Sequence, residues 1–195
     1  MSLDEKVLGR LANTAFHLQY SSVDLIESFR PNQIICKKWL VTEIANYKMS
    51  YENVLVLGSW NGCLLWELMS EYCNVDWFTF LDVNPVAHAD RDEYFKVNNI
   101  DKNYHSITMS AIDYSDHEYF DLIINTSCEH MPDIPAVYGP TYALQSNNYT
   151  SLPEHTNCCV SENDLAKKNN ITNTVYKGKK KMPNYDRFTV LGYYV

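Results

Sequence analysis

A glycine-containing loop and an aspartate 20 residues beyond it have the residue types of a nucleoside-binding site. The loop, Gly58-Ser59-Trp60-Asn61-Gly62, holds two of the six glycines in the chain. Glycine permits a tight turn and close approach of a ligand to the backbone, and a following helix offers free N–H groups to a carboxylate or phosphate. Asp82 can accept two hydrogen bonds from a ribose diol. The pattern predicts a cofactor that contains a nucleoside, with a turn that binds no ligand as the alternative.

Buried strands of a parallel sheet are expected to position these two groups. Residues 53–58 and 77–82 are short apolar runs, typical of strands that are buried on both faces. Residues 63–69 between them have helical spacing, which makes the segment a βαβ unit. Ligands of such sheets bind at the carboxyl ends of the strands, where Gly58 and Asp82 stand.

The alternation of strands and helices continues along the chain. The first 50 residues predict mostly helix, and further strands are predicted at 104–109, 120–126 and 141–146, with helices at 84–97 and 165–170. Residues 175–176 and 187–194 predict an antiparallel hairpin with Lys177–Lys181 in its turn. We predict one α/β domain over 1–195, with N-terminal helices at 1–50, a cofactor-binding βαβ core at 51–150, and a C-terminal helix and hairpin at 151–195.

Three segments resemble motifs of a known family. Residues 54–62, 80–85 and 119–126 look like the first, second and fourth motifs of class I S-adenosylmethionine-dependent methyltransferases. The resemblance implies a Rossmann-like methyltransferase fold with a mostly parallel central sheet, helices on both faces, and S-adenosylmethionine (SAM) as cofactor. Val56 stands where the family's first motif usually has an acid, and Trp60 where it usually has a glycine.

The resemblance also implies which residues border the cofactor. The backbone of 58–62 would lie beside the methionine part, Asp82 would hold the ribose hydroxyls, and Val83 or Asn84 would flank the adenine. Asp113, in the third motif, could accept a hydrogen bond from the adenine amino group, or it could simply cap a turn. The predicted cofactor-binding residues are Gly58, Ser59, Trp60, Asn61, Gly62, Asp82, Val83, Asn84, Ala111, Ile112, Asp113 and Asn125.

Glu129 and His130, followed by Pro132-Asp133, resemble a sequence that small-molecule methyltransferases, such as quinone and sterol methylating enzymes, carry after the fourth strand. In that setting His130 could accept a proton from an acceptor hydroxyl, nitrogen or carbon, because an imidazole titrates near neutral pH. Glu129 could orient the imidazole or bind a cationic substrate. The alternative is that His130 only forms a hydrogen bond at the sheet edge and Glu129 is solvated.

Polar residues after the fifth predicted strand form a second cluster. If that strand ends at the same face, Asn147, Asn148 and His155 converge on the pocket rim near His130, and amides suit a polar substrate. Ser127 completes the predicted substrate-binding set, and an Asn-rich surface loop is the alternative. Residues 154–159 contain a Cys-Cys pair beside one histidine, which lacks the usual zinc-ligand spacing, so we predict no metal.

Composition and charge argue against several other classes of protein. With 16 basic and 24 acidic side chains the net charge is −8, which disfavours nucleic acid as a partner. No apolar stretch approaches the roughly 18 residues of a membrane span, and the charged first residues lack a signal-peptide pattern, which predicts a cytoplasmic protein without a membrane partner. The six cysteines lack C-x-x-C spacing, which predicts reduced thiols.

These patterns together predict an enzyme, a SAM-dependent methyltransferase that acts on a small polar molecule by direct methyl transfer. A noncatalytic or degenerate SAM-binding domain is one alternative. A nucleic-acid-modifying methyltransferase is another, and it would need the lysines of 177–181 beside the pocket. An NAD-dependent oxidoreductase would normally show G-x-G-x-x-G at Gly58. The oligomeric state is not indicated.

Overall fold

A computed structural model describes residues 3–17, 22–101 and 103–195 of the chain. Met1 and Ser2 lie outside the described residues. They are part of the N-terminal segment in which the sequence predicts no signal peptide. The helices are α1 (Leu3–His17), α2 (Ser22–Ser28), α3 (Pro31–Tyr47), α4 (Cys63–Tyr72), α5 (Pro85–Val97) and α6 (Glu162–Lys168). The strands are β1 (Ser50–Leu57), β2 (Asn74–Asp82), β3 (Tyr104–Thr108), β4 (Leu122–Asn125), β5 (Thr141–Asn147), β6 (Asn173–Lys181) and β7 (Asp186–Tyr193). Two one-turn 3₁₀ helices lie at His117–Tyr119 and Cys128–His130.

The strands form one seven-stranded sheet in the order β3-β2-β1-β4-β5-β7-β6. Strands β1 to β5 pair in parallel, whereas β7 runs antiparallel to both β5 and β6. From β1 the chain builds the sheet outward to β3 and then returns to place β4 on the other side of β1. The carboxyl ends of β1 and β4 therefore flank the switch point, where open α/β sheets bind ligands.

Alternate residues of β1 contribute to two separate cores. Val54 and Val56 belong to a core that also contains residues of all five helices α1 to α5. Leu55 and Leu57 belong to a core on the other face, which contains Leu165 of α6 and residues of irregular segments. The predicted α/β architecture, with a mostly parallel sheet and a C-terminal antiparallel pair, is confirmed. The helices are unevenly distributed because the segments that follow β3 and β4 contain only turns and 3₁₀ helices.

The predicted position of the lysine-rich segment is wrong. Lys177–Lys181 lies entirely within β6, and the turn of the hairpin comes later, where the Met182 amide donates to the Tyr185 carbonyl at 2.8 Å. Exposed and half-buried residues alternate along β6, and the ammonium of Lys180 lies 5.1 Å from the centre of the Trp39 ring. Because β6 is an edge strand, one side of it faces solvent and tolerates charge.

All six cysteines are unpaired, and five of them are buried. Among the described residues, no helix has both the length and the apolar character that crossing a membrane would require.

Candidate functional site

The loop after β1 has left-handed backbone at every second residue. Gly58, Trp60 and Gly62 have φ values of +56°, +51° and +69°. A Cβ atom at Gly58 would collide with the methyl group of Met131, and one at Gly62 would lie 2.7 Å from the Phe80 ring. Trp60 therefore occupies a backbone conformation in which glycine is unstrained, and the loop keeps an alternating left-handed turn without a third glycine.

Asn61 connects this loop to two helices. Its Oδ1 accepts a hydrogen bond from the Cys63 amide at the start of α4, at 3.1 Å, and its Nδ2 donates to the Asp24 carbonyl of α2, at 3.3 Å. The side chain is 1% exposed, so these two bonds satisfy groups that water does not reach. The loop is therefore held against the N-terminal helices.

Asp82 binds the loop from the end of β2. Its Oδ2 accepts a hydrogen bond from the Trp60 amide at 2.7 Å, and its Oδ1 accepts one from the Asn84 amide at 2.9 Å. Each carboxylate oxygen has two acceptor positions, so both can still receive a ligand hydroxyl. The Oδ1 of Asn84 in turn accepts a hydrogen bond from the Val86 amide and caps α5.

Exposed apolar side chains stand near Asp82, at the carboxyl ends of β2 and β3. Val83 is 67% exposed and Ile112 is 59% exposed, although both are aliphatic. The two strands are neighbours, and Asp82 pairs with Thr108. Ala111 is buried, whereas Asp113 is exposed and its amide closes a turn on the Ser110 carbonyl at 3.0 Å. Exposed apolar groups beside a polar acceptor can border a ring that is apolar on its faces.

A cavity of about 130 Å³ lies at the switch point. It is smaller than the roughly 300–1,000 Å³ of most small-molecule pockets, and therefore matches one end of a ligand. Its lining comes from the N-terminal helices, the β1 loop and α4, the segment after β4, and the first part of β7. The residues are Ser28, Gln33, Lys37, Gly58, Ser59, Trp60, Asn61, Gly62, Leu64, Leu65, Thr126, Ser127, Glu129, His130 and Arg187.

A buried ion pair joins Glu129 to Arg187 at this cavity. The two residues are 3% and 7% exposed, and Arg187 Nη1 lies 2.5 Å from Glu129 Oε1. Asn147 donates to the same oxygen at 2.6 Å, and Arg187 Nη2 donates to the Thr126 carbonyl. Burial opposes the charge of Arg187, but the Glu129 carboxylate raises the pKa of Arg187 above its ordinary value. The interpretation of Glu129 as a solvated residue is therefore wrong.

His130 and His155 are in contact at the rim of the cavity. Their ring centres are 4.5 Å apart and their planes are nearly perpendicular. Desolvation lowers the pKa of His130, and the nearby His155 and Arg187 lower it further. Glu129 and a hydrogen bond to the Glu154 backbone raise this pKa, but by less. His130 is therefore a neutral proton acceptor at neutral pH. His155 Nδ1 lies 2.6 Å from the Tyr149 carbonyl, an arrangement that assigns the proton to Nδ1.

Lys37 gives the cavity a positive local charge, because Glu129 balances the charge of Arg187, whereas the whole chain has a net charge of −8. Burial lowers the pKa of Lys37 to about 8, and the positive charge of Arg187 contributes to the same shift. The Lys37 ammonium donates to Gln33 Oε1 at 2.5 Å. The sequence analysis does not include Lys37 or Arg187 among the candidate site residues. The sequence feature that points to Arg187 is its position as the first residue of the predicted strand 187–194, which is otherwise mostly apolar.

The structure brings eight of the residues nominated from the sequence to one cavity, namely Gly58, Ser59, Trp60, Asn61, Gly62, Ser127, Glu129 and His130. Asp82, Val83, Asn84, Ala111, Ile112 and Asp113 lie outside its lining, along the edge formed by β2 and β3. Their roles stay predictions.

The four remaining nominated residues differ in position. Asn125 is buried, and its Oδ1 accepts a hydrogen bond from the Ser127 amide at 2.9 Å. Asn147 contacts Glu129, and His155 contacts His130. Asn148 Oδ1 accepts a hydrogen bond from the Asp186 amide at 2.8 Å, so this side chain connects β5 to β7 and is not part of the cavity lining.

No protein-family model matches the sequence, and neither does any curated protein. Solved structures do match. The N-methyltransferase NodS from Bradyrhizobium japonicum WM9 has a TM-score of 0.62 at 13% identity, over 85% of this chain and 97% of that chain. Magnesium protoporphyrin IX methyltransferase (ChlM) from Synechocystis PCC 6803, with bound SAH, has a TM-score of 0.63 at 12% identity, over 97% and 95%. The chain therefore has the Rossmann-like fold of these methyltransferases.

Proposed function

We propose that the protein is a SAM-dependent methyltransferase that transfers a methyl group directly to a small polar molecule. One observation carries the proposal: the alternating left-handed loop after β1 is bonded through the Trp60 amide to Asp82. This arrangement joins the two groups that a nucleoside-containing cofactor needs, beside a charged cavity at the switch point of the sheet. The fold is shared with ChlM, whose structure contains SAH.

In this proposal the cofactor extends from the cavity along the carboxyl edge of the sheet. Its methionine part would lie on the backbone of Gly58 to Gly62, and its ribose hydroxyls would donate to the open acceptor positions of Asp82. The adenine would cover Val83 and Ile112, which accounts for the exposure of these two aliphatic side chains. Asp113 is near enough in sequence to Ile112 to accept a hydrogen bond from the adenine amino group.

The acceptor molecule would enter the cavity between the N-terminal helices and the segment after β4. Bound SAM would supply an electrophilic methyl group to the lone pair of the acceptor, and its sulfur would keep the electron pair of the broken bond as a neutral thioether. His130, neutral and at the rim, would take the proton that the acceptor loses. Ser127 lines the same cavity, while Asn147 acts through Glu129. The positive charge of Lys37 favours an acceptor or a cofactor group that carries a carboxylate.

Calorimetry with SAM and with S-adenosylhomocysteine tests the proposal. The wild-type protein is expected to bind both compounds, and Asp82→Ala is expected to weaken both by at least about tenfold, since a charged acceptor contributes about 1.5–3 kcal/mol. Asp76→Asn is the matched control, because Asp76 is an exposed residue at the opposite end of the same strand. Thermal melts of both variants check that the fold is kept.

Absence of binding to either compound by the wild type would contradict the cofactor assignment. Binding without transfer of labelled methyl to any member of a broad panel of small amines, acids and alcohols would instead indicate a noncatalytic SAM-binding domain. Methylation of an oligonucleotide in preference to that panel would contradict the substrate class.

A further inference from the structure

We propose that Glu129, His130 and His155 form a binding site for one divalent transition-metal ion at the rim of the cavity. One donor atom from each residue lies within 4.8 Å of the other two. The residues come from two separate segments, the 3₁₀ helix after β4 and the loop after β5. This site goes beyond the proposed methyl transfer, and ion binding does not depend on it.

Glu129 and His155 each have one polar atom engaged by the protein and a second atom free to coordinate. Arg187 and Asn147 both donate to Glu129 Oε1, whereas the buried Oε2 has no hydrogen-bond partner among the described residues. The Nδ1–H of His155 donates to the Tyr149 carbonyl, which leaves Nε2 with its lone pair. An outer hydrogen bond of this kind, from the second ring nitrogen to a backbone carbonyl, typically orients histidines that bind metals.

The donor set and its dimensions suit a metal of the zinc and iron class. Two imidazoles and one carboxylate occur in three-ligand zinc sites and in non-haem iron sites. Bonds of about 2.0–2.2 Å hold donor atoms at most about 4.4 Å apart, which is comparable with the 4.8 Å within which one donor atom of each residue lies. His130 is exposed, so an ion can reach this donor from solvent.

The sequence-based prediction of no metal was drawn from the Cys-Cys pair at 158–159 and its single neighbouring histidine. The structure assigns a different donor set, in which His155 joins a glutamate 26 positions earlier in the chain. Spacing along the sequence does not show this group, because the loop after β5 folds back onto the segment after β4. One contact that fixes this arrangement is the hydrogen bond from the Asn157 amide to the Glu129 carbonyl, at 3.0 Å.

Three protein ligands leave at least one coordination position open, and both Glu129 and His130 line the cavity. In the proposed methyltransferase, that position would take the acceptor atom and lower its pKa, so that its proton leaves to water before the methyl group is transferred. A His130 nitrogen that binds the metal could not also accept a proton, so water would take the proton that His130 takes in the metal-free protein. Only this catalytic consequence rests on the proposed function.

Cobalt titration of chelator-treated protein tests the site. Co²⁺ is expected to bind at one ion per chain with visible absorption bands, and Zn²⁺ is expected to displace it and to raise the melting temperature of the wild type. His155→Gln and Glu129→Gln are expected to lower the affinity by at least about tenfold. His105→Gln, which changes an exposed histidine of β3, is the matched control and is expected to bind as the wild type does.

Absence of saturable binding by the wild type at about 100 µM metal would overturn the proposal. Binding that is undiminished in His155→Gln would also overturn it, and this variant decides the matter if Glu129→Gln fails to fold. A thiolate-to-cobalt charge-transfer band that is lost in Cys158→Ser would assign the ion to cysteine instead. Because no cofactor is added, these results are independent of SAM binding.

Discussion

Replacing Arg187 by methionine is expected to destabilise the fold by about 3–5 kcal/mol, because it leaves a buried carboxylate without its counter-charge. Glu129 is 3% exposed and lies 2.5 Å from the guanidinium. In the variant Asn147 alone, among the described residues, would still donate to this carboxylate, and the Thr126 carbonyl would lose the bond from Arg187 Nη2. The penalty therefore comes mainly from the stranded charge and only in part from lost packing.

Urea unfolding followed by tryptophan fluorescence measures this change. With a slope of about 2 kcal/mol per molar urea, the midpoint is expected to fall by about 1.5–2.5 M. A thermal melt is expected to fall by about 6–20 °C, since each kcal/mol shifts a chain of this size by about 2–4 °C.

Two controls isolate the cause. The double variant Arg187→Met, Glu129→Gln removes the stranded charge and keeps an acceptor for Asn147, so it is expected to be at least about 2 kcal/mol more stable than the single variant. Arg30→Met breaks the exposed pair with Glu27 and is expected to cost less than about 1 kcal/mol. Equal costs for Arg187→Met and Arg30→Met, or no recovery in the double variant, would refute the reasoning.

Two further predictions concern the glycine loop and Lys37. Gly62→Ala is expected to destabilise the protein by about 2–4 kcal/mol, because the new Cβ meets Phe80 at a left-handed residue. Gly9→Ala, in α1, is expected to stabilise it by about 0.5–1 kcal/mol, because no described residue lies within 4 Å of the new Cβ. Similar melting temperatures for the two variants would contradict this. Burial lowers the pKa of Lys37 from 10.5 to about 8, so between these pH values the unfolded chain binds more protons than the folded protein. The stability of the wild type relative to Lys37→Met is therefore expected to rise as the pH increases from 8 to 10.5. Urea unfolding at several pH values measures the difference, and a constant difference would argue against a desolvated ammonium.

The strands that carry the site were predictable from the sequence because their apolar runs are continuous. β4 and the C-terminal halves of β1 and β2 are buried on both faces in the interior of the sheet, and their continuous apolar composition reflects this environment. The conformation of Trp60 was not predictable in the same way. It depends on a hydrogen bond to Asp82, which is 22 residues away in the chain, and a tryptophan has no local preference for left-handed backbone.

The charges of the cavity were not predictable, because they depend on burial. Lys37 and Arg187 come from a helix and a strand 150 positions apart, and their burial follows only when α3 and β7 converge on the segment after β4. For the lysines of 177–181, the sequence predicts a turn that the structure does not contain. A run of charge is typical of a loop, but β6 has a solvent-facing edge that accommodates the same residues within a strand.

The position of β6 at the end of the sheet has a consequence for self-association. An edge strand presents unpaired backbone groups to which a strand of a second molecule can add, and this addition is a common route to aggregation. Lys177, Lys179 and Lys181 are all exposed there. Asp186 lies 3.6 Å from Lys181 and 3.9 Å from Lys179. Two such edges would bring rows of ammonium groups together, so their mutual repulsion opposes continuation of the sheet from one molecule into the next.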